Sequence, residues 1–65
     1  MAQEIHLRYL KENEAAELTG FAVQTLRNKR HIGEGPPYIK KGRAVRYPLQ
    51  DLITWMESDR VEVER

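Results

Sequence analysis

A chain of 65 residues, with 11 Lys+Arg against 10 Asp+Glu and no Cys, admits one small domain and excludes a second core. It is too short for a dinucleotide-binding fold, and it has no apolar run of membrane-spanning length and no thiolate for a disulfide or a zinc site. The N-terminus lacks the apolar stretch of a signal peptide, so the expected location is cytoplasmic, with no membrane partner.

Charge is distributed unevenly. Residues 1–21 carry a net of −2 and residues 48–65 a net of −3. Residues 22–47 carry seven cations against Glu34 alone. A basic middle of this kind attracts polyanions whatever the overall balance.

In chain order, Ile5, Leu7 and Tyr9 alternate with His6 and Arg8, which predicts a short strand over 5–10. Glu12 to Leu18 are mostly helix formers with acids in the first turn, so a helix is expected from Lys11 to Thr19. Lys11 is a weak N-cap, and Gly20 can adopt the left-handed conformation that ends the helix. A second helix is expected over Val23–His31, with Val23, Leu26 and Arg30 on one face. Gly33, Gly35, Pro36 and Pro37 then impose a loop.

Tyr38-Ile39-Lys40 and Ala44-Val45-Arg46-Tyr47 flank Lys41-Gly42-Arg43 and predict a β-hairpin. With that turn, Ile39, Val45 and Tyr47 share one face, and Tyr38, Lys40 and Arg46 take the other. Pro48 ends the strand, and Leu49, Leu52, Ile53 and Met56, with Trp55 beside them, recur at helical spacing. The domain is expected to span residues 1–59, with 60–65 as a flexible tail.

Only Phe21 and Ala22 separate Gly20 from the second helix, so the two helices must meet at a steep angle. Ala16 supplies a small residue for the crossing, and Val23 and Leu26 supply apolar anchors. This is the spacing of a helix-turn-helix. Gln24, Thr25, Arg27, Asn28 and His31 fall on the outward side of the second helix. Gln and Asn can pair with adenine, and Arg with guanine, across the major groove. Lys29 and Arg30 fall toward the flanks, where phosphates would lie, and the hairpin presents Lys40, Lys41, Arg43 and Arg46. A narrow basic ribbon of this kind can follow the backbone or enter an adjacent minor groove.

Other constellations carry no chemistry. His6 and His31 are far apart and have no thiols beside them, so no metal site is expected. Glu12, Glu14 and Glu17 read as a solvated acidic face rather than a catalytic pair. Residues 33–37 lack the Lys and the Ser or Thr of a phosphate-cradling loop. Tyr9, Tyr38, Tyr47 and Trp55 read as packing residues. No nucleophile–base pair can be assembled, so neither catalysis nor a cofactor is expected.

Several motifs occur together and in order. These are Glu14 to Gly20, Val23, Thr25-Leu26-Arg27, Gly35 to Lys40, Val45-Arg46-Tyr47, Asp51-Leu52 and Trp55-Met56. Together they resemble the small excisionase and AlpA-like regulators of the MerR-like group of winged-helix DNA-binding domains. The resemblance covers residues 10–56. It implies a helix-turn-helix, a two-stranded wing spanning Lys40 to Arg46, and a third helix packed by Leu52, Trp55 and Met56. It also implies that Val23–His31 enters the major groove. Two positions depart from it: Ala22 stands where Ser or Thr often caps the second helix, and Lys29 stands where Trp often fills the core. Lys29 is expected to pack through its aliphatic stem.

The expected fold class is α+β and mainly helical, a winged helix-turn-helix with a two-stranded wing and a third packing helix. The expected function is sequence-specific binding of double-stranded DNA by a phage or mobile-element excisionase or an AlpA-like transcriptional regulator. Self-association on adjacent sites would supply affinity that one small domain lacks, and an excisionase would also meet an integrase or another phage protein. The alternative is a protein-interaction module of the same fold, of the DNA-packaging or antitoxin type, whose acidic residues Glu57 to Glu64 dock a basic partner.

Overall fold

The computed structural model describes residues 8–63. Its elements are β1 (Tyr9–Leu10), α1 (Glu12–Thr19), α2 (Val23–His31), β2 (Ile39–Lys41), β3 (Ala44–Pro48) and α3 (Leu49–Glu57). This is the expected winged helix-turn-helix, with the wing extended to a three-stranded antiparallel sheet in the order β1-β3-β2. The predicted strand over 5–10 survives at Tyr9–Leu10, while Ile5, His6 and Leu7 lie outside the described residues. Leu10 pairs with Tyr47 and Tyr9 with Pro48, and the Leu49 N–H donates to the Arg8 carbonyl at 2.9 Å. Both ends of β3 are therefore anchored, one to the wing and one to the entry strand.

Local chemistry explains the helix ends. Lys11 offers no side-chain acceptor, so only half of a capping box forms: the Lys11 backbone N–H donates to Glu14 Oε1 at 2.8 Å. Gly20 closes α1 at φ 82°, in the left-handed region a Cβ disfavours, and its N–H donates to the Ala16 carbonyl at 2.8 Å. Thr19 reinforces this turn. Its hydroxyl donates to the Ala15 carbonyl at 2.9 Å and accepts from the Phe21 N–H at 3.2 Å. Ala22 begins α2 without a side-chain cap. The far end of α2 is closed by the N–H groups of Gly33 and Glu34, which donate to the carbonyls of Arg30 and Lys29.

Leu10, Ala15, Leu26, Tyr47, Leu49 and Leu52 form the core, with Ala16, Phe21, Val45 and Trp55 packed against it. Phe21 meets Trp55 edge-on with ring centroids 6.1 Å apart, joining the interhelical turn to α3. The fully enclosed alanine is Ala15, and Ala16, expected at the crossing, is only half-buried. Lys29 is half-buried, with its ammonium 5.5 Å from the Phe21 ring centroid.

Two expectations fail. The hairpin register is Ile39 opposite Arg46, Lys40 opposite Val45 and Lys41 opposite Ala44. Directly opposed residues share a face, so Ile39 lies with Arg46 on the face away from Val45 and Tyr47, and is 41% exposed. In α3 the inner stripe is Leu49, Leu52 and Trp55, while Ile53 and Met56 are 36% and 38% exposed. A nine-residue helix against a narrow sheet buries a stripe about one residue wide per turn, and these two side chains fall beside it.

Leu26→Ala and Leu52→Ala should each cost about 2–5 kcal/mol, because both leave cavities in a small core. Ile39→Ala and Met56→Ala should cost about 0.5 kcal/mol or less. Urea unfolding followed by circular dichroism distinguishes the two classes.

Candidate nucleic-acid interface

Helical geometry sorts the side chains of α2. Val23, Leu26 and Arg30 turn inward, Leu26 being fully buried, while Gln24, Arg27, Asn28 and His31 project outward. Thr25 and Lys29 occupy the flank between these faces and are half-buried. Gln24 Nε2 donates to Asn28 Oδ1 at 3.0 Å, which fixes the two amides side by side. Gln24 Oε1 and Asn28 Nδ2 remain without a partner among the described residues.

The wing stands beside α2 and closes a groove against it. From α2 the groove is lined by Gln24, Arg27, Asn28, Arg30 and His31, and from the wing by Tyr38, Lys40, Gly42, Arg43 and Val45. Its lining holds four guanidinium or ammonium groups and no carboxylate. The hairpin turn is Gly42-Arg43, with positive φ at Gly42 alone (59°), the signature of a type II′ turn. The wing cations divide accordingly. Lys40 faces the groove beside Val45, and Arg43 sits at the turn. Lys41 and Arg46 share the opposite face, where Arg46 Nη1 donates to the Val45 carbonyl at 2.9 Å.

One carboxylate links α1 to α2. Glu12, the first residue of α1, accepts from Arg27 Nε at 3.1 Å and from Arg27 Nη2 at 2.9 Å. Arg30 Nη2 lies 3.1 Å from Glu12 Oε2, while Arg30 Nη1 donates to the hydroxyl of fully buried Tyr47 at 2.8 Å. The Arg30 guanidinium also stands 5.5 Å from the Tyr38 ring centroid, and Tyr38 packs on Tyr47 with centroids 6.4 Å apart. Arg30, expected on a phosphate-facing flank, is thus partly buried and engaged by α1 and the wing. The Arg27 hydrogen bond pulls Glu12 below the ordinary carboxylate range; burial opposes this and Arg30 adds to it. Burial works against the charge of Arg30, but the Tyr47 hydroxyl and Glu12 outweigh it and raise its pKa.

Glu12, expected on a solvated acidic face, is instead engaged by Arg27 and Arg30. A usable signal existed: Arg30 falls seven residues after Val23, on the core stripe, and a cation there requires a counter-charge. Among the described residues no group of three or more His, Asp or Glu side chains converges as a metal site would need, and no helix is long and apolar enough to cross a membrane.

A family model described as a helix-turn-helix domain matches residues 9–60, so the chain belongs to the helix-turn-helix domain family, whose architecture implies DNA as the partner. Neither the curated proteins nor the solved structures contain a match.

The lowered pKa of Glu12 fixes the sign of a pH effect. Its contribution to stability is fully present above the ordinary value of 4.5 and is lost as the pH falls through the lower folded-state value. Urea melts of the native protein and of Glu12→Gln, compared between neutral pH and pH values below 4.5, should therefore converge as the pH falls. Parallel profiles would show that Glu12 titrates like an exposed carboxylate.

Proposed function

We propose that this helix-turn-helix domain binds duplex DNA sequence-specifically, with α2 in the major groove and the wing on the backbone or in an adjacent minor groove. The observation that carries this reading is the groove between α2 and the wing, which presents Arg27, Lys40 and Arg43 beside paired amides and has no carboxylate in its lining. Gln24 and Asn28 then read adenine edges, Arg27 reads guanine, and His31 lies next to them on the same face. Lys40, Lys41, Arg43 and Arg46 supply phosphate or minor-groove contacts, with Thr25 and Lys29 at the flank of α2 and Arg30 mainly holding the frame. The protein acts without catalysis.

The resemblance of residues 10–56 to excisionase and AlpA-like regulators supports a narrower role. The protein either shapes DNA for excision of a mobile element or controls transcription. A single domain of this size buries little surface on DNA, so adjacent copies would give the required affinity.

Two measurements test this reading. Log K against log[salt] should fall with a slope of about −4 to −5 for four to six phosphate contacts. On a duplex selected from a random library, Gln24→Ala or Asn28→Ala should cost about 1–3 kcal/mol and change random-DNA binding little. Lys40→Ala or Arg43→Ala should weaken both duplexes alike and reduce the slope by about 1. A flat salt response would replace DNA with a protein partner.

A further inference from the structure

We propose that Glu12 is a specificity-determining positioning residue: it grips one edge of the Arg27 guanidinium and so aims the other edge at guanine. This inference rests on the DNA-binding reading above and names a residue of α1 that does not itself touch DNA.

The shape of arginine permits this role. A guanidinium is a planar fork with five N–H donors in fixed directions. Glu12 takes the edge formed by Nε and Nη2, at 3.1 and 2.9 Å. The second edge, formed by Nη1 and the remaining Nη2 hydrogen, stays in the same plane and points roughly 120° away. That edge carries the two parallel donors that match guanine O6 and N7. A side chain gripped through one edge can therefore still make the bidentate contact through the other, and its orientation is set before binding.

The grip is itself held. Glu12 Oε2 also receives Arg30 Nη2 at 3.1 Å, and Arg30 Nη1 donates to Tyr47, which is fully buried. A continuous line of hydrogen bonds and one ion pair thus runs from the core to Arg27, whose side chain is otherwise 51% exposed. Without Glu12, a long arginine would sample many rotamers and lose that freedom only on binding. Glu12 also carries negative charge close to the proposed phosphate path, so neutralising it strengthens attraction to any DNA.

The test uses a duplex that the native protein selects from a random library, and derivatives in which each G·C pair is changed to A·T. Native protein should lose about tenfold or more in affinity at one such pair. Arg27→Ala should abolish that loss. Glu12→Gln should shrink it to roughly threefold or less while binding scrambled DNA as well as or better than the native chain. Full discrimination by Glu12→Gln overturns the proposal. A second measurement needs no variant: the Arg27 Nε–H signal in NMR spectra of the native protein should stay protected from exchange when the duplex is added. Its loss on binding would make Glu12 a competitor for Arg27 and would also overturn the proposal. Native protein that binds the duplex but shows no guanine preference overturns this inference alone, whereas a failure to bind any duplex removes the DNA reading beneath it.

Discussion

Glu12 accepts two hydrogen bonds from Arg27 and pairs with Arg30 three residues further along α2, and Arg30 reaches on to a tyrosine at the centre of the sheet. Two consecutive helices and the central strand β3 are therefore linked through a single carboxylate and Arg30. Arg30 and Glu12 are each only partly exposed, so their pairing is screened by water less than that of a fully solvated ion pair. Tyr47 adds a neutral donor–acceptor that satisfies Arg30 without another charge. Leu26, fully buried, packs α2 into the core, and this cluster adds polar links from α2 to α1 and β3.

The arrangement of α2 beside the wing has a functional consequence. The basic segment 22–47 folds into α2 and the wing, and the acidic flanks fold into α1 and α3. The groove between α2 and the wing collects cations from both elements, whereas Asp51 and Glu57 lie exposed on α3. A near-neutral chain thereby becomes a domain with one strongly positive side, and a long polyanion would meet it in one orientation.

Much of this was legible in the sequence. Gly20 and the two residues after it mark the interhelical turn, and Val23 with Leu26 gives the inward face of α2. Pro48 and the leucines at 49 and 52 place the start and the inner stripe of α3. The wing register was not legible, for a definite reason. A three-residue turn Lys41-Gly42-Arg43 would set Ile39 opposite Val45, whereas the two-residue turn Gly42-Arg43 sets Lys40 there. One residue of slip exchanges the faces of β2, and local composition suits either turn. Glu12 was hidden for a different reason: in an acidic run each carboxylate looks solvated, and only the folded chain brings Arg27 and Arg30 to one of them. Gln24, Arg27, Asn28 and His31 lie outward as their spacing indicates, whereas Thr25, expected beside them, is half-buried, and Arg30, expected on the inward face and also at a phosphate-facing flank, is partly buried against Glu12 and Tyr47.

The central claim is that the groove between α2 and the wing is the DNA-contacting surface. The most direct measurement is a titration of isotope-labelled protein with a duplex, followed residue by residue through amide and side-chain NMR shifts. The account predicts the largest changes at Gln24, Arg27, Asn28, His31, Lys40 and Arg43, with Asp51, Thr54 and Glu57 on α3 nearly unmoved. Changes concentrated on α3 or on the outer side of α1, with the groove residues silent, would contradict it.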